Sequence, residues 1–460
     1  MADGEVAPSA PTALVVTPGG LGETFLPILG PGSSVLRGAH RGTAGVDFVL
    51  TSDERVLEKL RLAPHTLPVI GVMALVARTS PGSLDELRDA VHHSPHWDGA
   101  LDLWRRWRSI ASTVRPVYRA TAVREEGLSK PHINEIARAT AAGVSRAFPH
   151  WGVDMAAFNL EVAIVWLSTG AVVALPLTPG WHACARAARG SFFPVEERGS
   201  GGGGERRGAP QQPILRPSVC HGLLRLAGVT ATDLACDPVC GVGSIPAEAL
   251  RRFGSVYCLG GDSGRSAVRS TAQRARRGHA PVVAALSVKS RTIGDGGGVR
   301  VHLSLSTTRS PILEVARWDV RSLPLRAGVL DVIVADLPWG NRGKAPPELL
   351  RDATREFERV LASGGTAVVL TLRYSAAQIE HALAEDPAVG GDARLRVVQV
   401  VDVCVGGWPV SAVKMRKEAL GERAQLMGTP VADVTDAAAT GSAAQHAARQ
   451  AVSSPCCCAV

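Results

Sequence analysis

Apolar and polar positions follow two kinds of pattern along this chain, with a change near residue 214. "VDFVL" (46–50) is a short apolar run of strand type. "SDERVLEKLRL" (52–62) opens on Ser52 and Asp53 and repeats apolar residues at Val56, Leu57 and Leu60, which predicts a capped helix. "RPVYRATAVRE" (115–125) alternates like a strand. "SKPHINEIARATAAGVSRAF" (129–148) predicts a helix with Pro131 in its first turn. Ile133, Ile136, Ala137, Thr140, Val144 and Phe148 share one face, and Arg138 and Arg146 point away from it. "FNLEVAIVWLSTGAVVALPLT" (158–178) has the length of a membrane span. Glu161, the Ser-Thr-Gly break at 168–170 and Pro176 instead predict two strands around a turn, so no membrane association is expected.

From residue 214 the pattern becomes strand–helix–strand. "DLACDP", "SVYCLGGD", "VLDVIVADLP", "GTAVVLTL", "LRVVQVVDVCV" and "SAVKMRK" read as strands, and a third strand precedes "VLDVIVADLP". "SIPAEALRRF", "GRSAVRSTAQRARR", "PELLRDATREFERVL" and "SAAQIEHALAED" read as helices. The near-continuous apolar run "VIVA" is what a strand covered on both faces requires. The expected class is therefore α/β, with an open, doubly wound, mostly parallel seven-stranded sheet behind an α+β half.

These patterns set the organisation. Residues 12–105 alternate short strands with helices, and 106–185 form an α+β module. Residues 186–213, with "RGSGGGGERRGAPQQP", have linker composition. Residues 214–420 form the doubly wound domain, with 281–310 as an insertion before its third strand. Residues 421–460, rich in Ala, Ser and Thr, are expected to be a disordered tail.

Composition narrows the function classes. Apolar residues at 45% and charged residues at 20% are ordinary globular values, and the net charge of +8 favours an acidic partner, nucleic acid first. The nine cysteines form no pair of CxxC motifs, and Cys236/Cys240 has no matching second half. Reduced thiols in an intracellular protein, without a metal site, are the expectation. The N-terminus lacks a basic start followed by an apolar core, so no signal peptide is expected. The ending "SSPCCCAV" imitates a prenylation box, but Cys458 and Ala459 are poor middle residues.

Four features carry chemistry. "DPVCGVGS" (237–244) lies between a strand and a helix, where Gly241 and Gly243 permit a tight turn and close approach of a ligand. The third glycine of a dinucleotide fingerprint would fall on Pro246, which counts against NAD. Asp262, about 20 residues later, can accept from both hydroxyls of a ribose, or cap a helix. Asp319, in "ARWDV", can accept from an adenine amino group, and reads equally as a turn aspartate. The fourth is "DVIVADLPWGNR" (331–342). Asp336 emerges at the carboxyl edge of the sheet, where ligands of such sheets bind. There a carboxylate and the Leu337 carbonyl can accept the two hydrogens of an exocyclic amine and localise its lone pair. Pro338 shapes the turn, and Trp339 offers a face on which a base can stack.

"DPVCGVGS" with "DLPWG" resembles the S-adenosylmethionine-dependent amino-methyltransferases, and the wider chain is similar to the THUMP-domain RNA guanine-N2 methyltransferases. "GVDFVLTSDERVLEKLRL" is similar to the family's N-terminal ferredoxin-like region. The stretch from "PVYRATAVREEGLSKPHINEIARATAAGVSRAF" to "VVALPLTPG" resembles its THUMP module, and "LRPSVCHGLLRLAG" its lead-in to the catalytic domain. The resemblance implies a Rossmann-like methyltransferase domain behind ferredoxin-like and THUMP domains. It implies S-adenosylmethionine as cofactor, with Asp237, Gly241 and Gly243 at its methionine part, Asp262 at its ribose and Asp319 at its adenine. Asp336, Leu337, Pro338 and Trp339 would form the catalytic turn. Arg119, Lys130, Arg138 and the "RRWR" cluster at 105–108 would contact tRNA phosphates. A small zinc-ribbon activator protein is the further partner implied. The family more often has Phe where Trp339 stands. The expected reaction is methylation of a guanosine N2 amine in tRNA, in the acceptor stem, with a spliceosomal small nuclear RNA as the alternative substrate. A non-catalytic RNA-binding scaffold is the alternative from another class. The expected compartment is the cytoplasm, then the nucleus.

Overall fold

The computed structural model describes residues 12–36, 46–62, 68–80, 82–124, 128–178, 214–254, 256–277, 282–286, 312–337, 347–385, 393–405 and 408–419. The stretches read as linker (186–213) and tail (421–460), and most of the 281–310 insertion, lie outside them.

The N-terminal half is one eight-stranded sheet. Its elements are β1 (Ala13–Pro18), a 3-10 turn (Gly22–Phe25), α1 (Leu26–Leu29), β2 (Ser34–Val35), β3 (Val46–Thr51), α2 (Glu54–Leu62), β4 (Gly71–Thr79), α3 (Leu84–His92), α4 (Trp97–Arg108), β5 (Val117–Arg124), α5 (Ile133–Ala147), β6 (Gly152–Val153), β7 (Leu160–Leu167) and β8 (Gly170–Pro176). The strand order is β2-β3-β1-β4-β8-β7-β5-β6. The 105/106 division falls inside α4, and antiparallel pairing of β4 with β8 joins the strands on its two sides into this sheet. The apolar stretch 158–178 is the antiparallel hairpin β7–β8, turning at the Ser-Thr-Gly break. No helix among the described residues is long and apolar enough to cross a membrane.

Capping decides where two predicted helices begin. The Asp53 carboxylate accepts from the Arg55 and Val56 amides at 2.9 and 3.3 Å, so α2 starts where the Ser-Asp pair predicts. Helix α5 starts later than its pattern predicts. The His132 ring accepts from the Asn134 amide and the Glu135 carboxylate accepts from the His132 amide, a capping box that leaves Pro131 outside the helix.

The C-terminal half comprises α6 (Pro217–Ala227), β9 (Leu234–Asp237), α7 (Ser244–Arg252), β10 (Tyr257–Asp262), α8 (Arg265–Arg277), β11 (Val282–Leu286), β12 (Ile312–Arg317), β13 (Leu330–Asp336), α9 (Pro347–Val360), β14 (Leu361–Leu372), α10 (Arg373–Glu385), β15 (Ala393–Val405) and β16 (Trp408–Ala419). Their order is β11-β12-β10-β9-β13-β14-β16-β15. The seven expected strands are joined at one edge by an eighth, β11, parallel to β12, at the start of the stretch read as an insertion. β16 runs antiparallel to both β14 and β15. From β9 the chain builds first toward β12 and then returns to the other flank with β13. The crevice between β9 and β13 is thus the topological switch point, and ligands of open α/β sheets bind at its carboxyl end.

Candidate active site

Three aspartates end strands at that edge: Asp237 on β9, Asp262 on β10 and Asp336 on β13. The pairing is parallel throughout, with Gly260 opposite Asp237 and Ile333 opposite Cys236, so all three carboxylates leave the sheet on the same side. Asp237 is 2% exposed and accepts the Val239 amide at 3.2 Å. Burial pushes its pKa well above the usual carboxylate range. The neighbouring Asp336 and Asp262 charges add to that push, and the Val239 amide opposes it.

The chain leaves Asp237 through a glycine turn. Gly241 and Gly243 have φ of +53° and +80°, left-handed values that cost a residue with a Cβ roughly 1–2 kcal/mol. Their surroundings differ. A Cβ on Gly243 would lie 2.6 Å from Thr271 Cγ2, so that glycine serves packing of the turn against α8. Beside Gly241 no atom of the described residues comes within 4 Å of such a Cβ, which leaves room for a ligand at the backbone. The turn is held from three directions. The Cys240 amide donates to the Gly261 carbonyl at 2.8 Å, Thr271 Oγ1 donates to the Gly241 carbonyl at 2.9 Å, and the Gly241 amide donates to Asp262 Oδ2 at 3.0 Å. The other oxygen of Asp262 accepts the Gly264 amide at 2.8 Å. Each of its oxygens keeps a lone pair for an outside donor.

Asp336 is half-buried and Leu337 is 3% exposed, with the Leu337 amide donating to the Leu370 carbonyl of β14 at 3.2 Å. The other two residues of the proposed catalytic turn, Pro338 and Trp339, lie outside the described residues. Asp319 follows β12 and is engaged locally. It accepts from the Arg321 amide and guanidinium, with Nη2 at 2.6 Å from Oδ2, and this partner holds its pKa below the usual range. A role at an adenine would have to compete with Arg321.

The three proposed RNA contacts are spread over β5, the approach to α5 and α5 itself. Arg119 is committed to its neighbours, with Nε 3.2 Å from Glu161 and its guanidinium 3.8 Å from the centre of the Phe158 ring. Lys130 and Arg138 are exposed. In the 105–108 cluster Arg106 pairs with Asp102 at 2.9 Å.

Sequence reasoning missed Thr271 and Trp318. Thr271 stands on the buried face of α8 with Ala267, Val268 and Ala272, where a polar residue in an apolar row was the available signal. Trp318 is 9% exposed, and its indole Nε1 donates to the Pro238 carbonyl at 2.9 Å.

Residues 205–391 match the family model described as RMKL-like, methyltransferase domain. This span, less than half of the chain, is similar to a methyltransferase domain of that kind. S-adenosylmethionine is the cofactor that such a domain implies, and the open flank of Gly241 beside Asp262 fits it. Over 242 residues the chain is 30% identical to the mouse (Mus musculus) tRNA (guanine(6)-N(2))-methyltransferase THUMP3, covering 52% of this chain and 40% of that protein. It is 28% identical over 156 residues to the Bos taurus U6 snRNA (guanine-N(2))-methyltransferase THUMPD2, covering 34% and 25%. The chain thus spans two-fifths or less of these curated relatives. Among solved structures, TrmN from Thermus thermophilus matches 88% of this chain and 99% of its own at a TM-score of 0.51 and 21% identity. A possible methylase from Clostridium difficile 630 matches 89% and 98% at 0.52 and 11%. At these identities the likeness is one of fold, an α/β methyltransferase fold around the methyltransferase domain.

Proposed function

We propose that this protein transfers a methyl group from S-adenosylmethionine to the N2 amine of a guanosine in tRNA, in the acceptor stem. The observation that carries the reading is the end of β13 at the switch point, where Asp336 and Leu337 stand beside the buried Asp237. The relatives' names, both guanine-N2 methyltransferases, support the choice of base. When bound, the cofactor supplies a methyl group on a positively charged sulfonium. Asp262 accepts from the ribose, and Asp237 places a carboxyl group at the methionine end. Asp336 and the Leu337 carbonyl accept the two amine hydrogens, which turns the amine lone pair out of conjugation with the base. Trp339 carries the base, reached by unstacking it from its neighbours. Asp336 need not be a strong base, because the amine proton becomes acidic only as the methyl bond forms. Most of the acceleration on this reading comes from holding two reactants in line.

Arg119, Lys130 and Arg138 are proposed to grip RNA phosphates, and a small zinc-ribbon activator is the proposed protein partner. The cytoplasm, then the nucleus, is the proposed compartment. The similarity to the U6 snRNA enzyme supports a second substrate reading, a guanosine of a small nuclear RNA. Mass spectrometry of nucleosides from separated tRNA and small nuclear RNA of cells lacking this protein decides between them. Loss of N2-methylguanosine from one pool names the substrate, and loss from neither overturns the assignment. Asp336→Ala is expected to cut methyl transfer by about a hundredfold or more. Its donor affinity, by calorimetry, should stay near the wild-type value. A fully active variant would remove Asp336 from the mechanism.

A further inference from the structure

The glycine turn is pinned from a side that the sequence motifs do not announce. Trp318 immediately follows β12 and precedes Asp319. Its backbone amide donates to the Asp262 carbonyl at 3.2 Å, and its indole Nε1 crosses to the Pro238 carbonyl at 2.9 Å. The ring lies so close over Gly261 that a Cβ built there would be 1.7 Å from Trp318 Cε2 and 2.1 Å from Nε1. Gly261 has no left-handed backbone to account for it. The glycine before Asp262 is there to admit the indole. One side chain therefore touches the residue after Asp237 and the residue before Asp262. It is 9% exposed and sits among the buried side chains of Cys236, Leu259 and Leu323.

We propose that Trp318 is a positioning residue of the cofactor site, its indole N–H on Pro238 and its ring on Gly261 together setting the spacing between Asp237 and Asp262. This rests on the reading of that edge as the S-adenosylmethionine site. Other packing cannot take over the role easily, because a ring on a bare glycine backbone and a hydrogen bond to a proline-turn carbonyl need an aromatic N–H at that reach. Phenylalanine keeps a smaller aromatic ring and removes the donor. Leucine removes both.

The test measures S-adenosylmethionine affinity by calorimetry for the full chain and for Trp318→Phe, with RNA methylation followed at varied donor and at varied RNA. One neutral hydrogen bond is worth about 1 kcal/mol, or roughly fivefold in an equilibrium constant. Trp318→Phe is expected to raise the donor Kd and the donor KM about fivefold. It should leave kcat at saturating donor and the RNA KM near wild type, with a fall in melting temperature of no more than a few degrees. Gly261→Ala, whose Cβ collides with the indole and pushes it off its seat while keeping Trp318 in the sequence, should lower the melting temperature and, measured below it, raise the donor Kd by more than Trp318→Phe does while leaving the RNA KM near wild type. Donor affinity unchanged in Trp318→Phe overturns the proposal, and so does a loss that follows a fall in melting temperature with kcat and RNA KM moving together. Wild-type protein that does not bind S-adenosylmethionine overturns the cofactor reading itself, a result distinct from a variant that binds as well as wild type.

Discussion

Asp237 shows how burial at this edge becomes a chemical property. Its carboxyl group is closed off at the end of β9. The described groups that bear on it are acids and thiols: Asp336 from β13, Asp262 and Cys258 from β10, Cys236 from β9, Cys240 from the glycine turn and Cys220 from α6. Burial first, then the two carboxylates, favours the protonated acid. A sulfonium or ammonium group placed beside it favours the carboxylate. Binding of S-adenosylmethionine should therefore expel a proton. The sign follows: affinity rises with pH from the ordinary carboxylate range up to the raised pKa of the free site, by at most about tenfold per pH unit, and is flat above it. Calorimetry in two buffers of different ionisation heat counts the protons. Release in wild type and none in Asp237→Asn is expected, while equal proton counts for the two would remove Asp237 from the linkage. At this scale the sequence was legible where a residue acts through its own backbone or through near neighbours. Gly241 and Gly243 stand out because left-handed turns leave glycine as the natural choice. Trp318 does not stand out, because its partner lies 80 residues away, and the role of Thr271 is hidden for the same reason, its partner lying 30 residues away, although its polarity in an apolar row is visible.

Helix α6 carries a second buried titratable group. The His221 ring lies 5.4 Å from the Phe25 ring and 5.7 Å from the Phe253 ring, and neither ring nitrogen has a hydrogen-bond partner among the described residues. Glu248, on α7, is 3.7 Å away and is itself paired with Arg252 at 2.9 Å. Burial, then Arg225 and Arg252, lowers the His221 pKa to about 4. A base depressed from 6.5 to about 4 is neutral in the fold and protonates first in the unfolded chain. It costs stability as pH falls through that window, by up to about 3 kcal/mol at the acid end. His221→Leu should thus have a shallower fall of melting temperature between pH 7 and 4.5 than wild type, whatever its stability at pH 7. Parallel profiles would show that His221 is not the group responsible. Elements were read well where one periodicity ran unbroken, as in the β7–β8 hairpin and the helices of the methyltransferase domain. They were misread where a local contact overrode the pattern, as at the His132–Glu135 capping box, and where a short strand pairs only at a sheet edge, as β11 does.

On the scale of the whole described molecule, the segment after β1 joins the two sheets. The Cys404 amide donates to the Gly19 carbonyl at 3.2 Å, and Asp47 Oδ2 accepts the Gly20 and Gly22 amides at 2.9 Å each. Leu21 sits on Gly222 of α6, where an added Cβ would be 2.7 Å from Leu21 Cδ1. Gly20 is the tightest point: φ is +85° and a Cβ would stand 1.8 Å from the Asp402 carbonyl oxygen of β15. "PGGLGE" reads in the sequence as an ordinary turn, since what it meets lies almost 400 residues further along the chain. Gly20→Ala combines left-handed strain of roughly 1–2 kcal/mol with a backbone collision, so a loss of about 2 kcal/mol or more is expected. The collision falls at the join, away from the glycine turn and its aspartates. Donor affinity should therefore persist at a temperature below the lowered melting point, while the RNA KM rises, because the proposed phosphate contacts belong to the N-terminal half and the amine acceptors to the C-terminal sheet. Calorimetry with S-adenosylmethionine and methylation at varied RNA separate the two effects. Unchanged melting and unchanged RNA kinetics in Gly20→Ala would mean that the Gly20–Asp402 approach does not hold in solution, and that the N-terminal sheet grips RNA without a fixed seat on the methyltransferase domain.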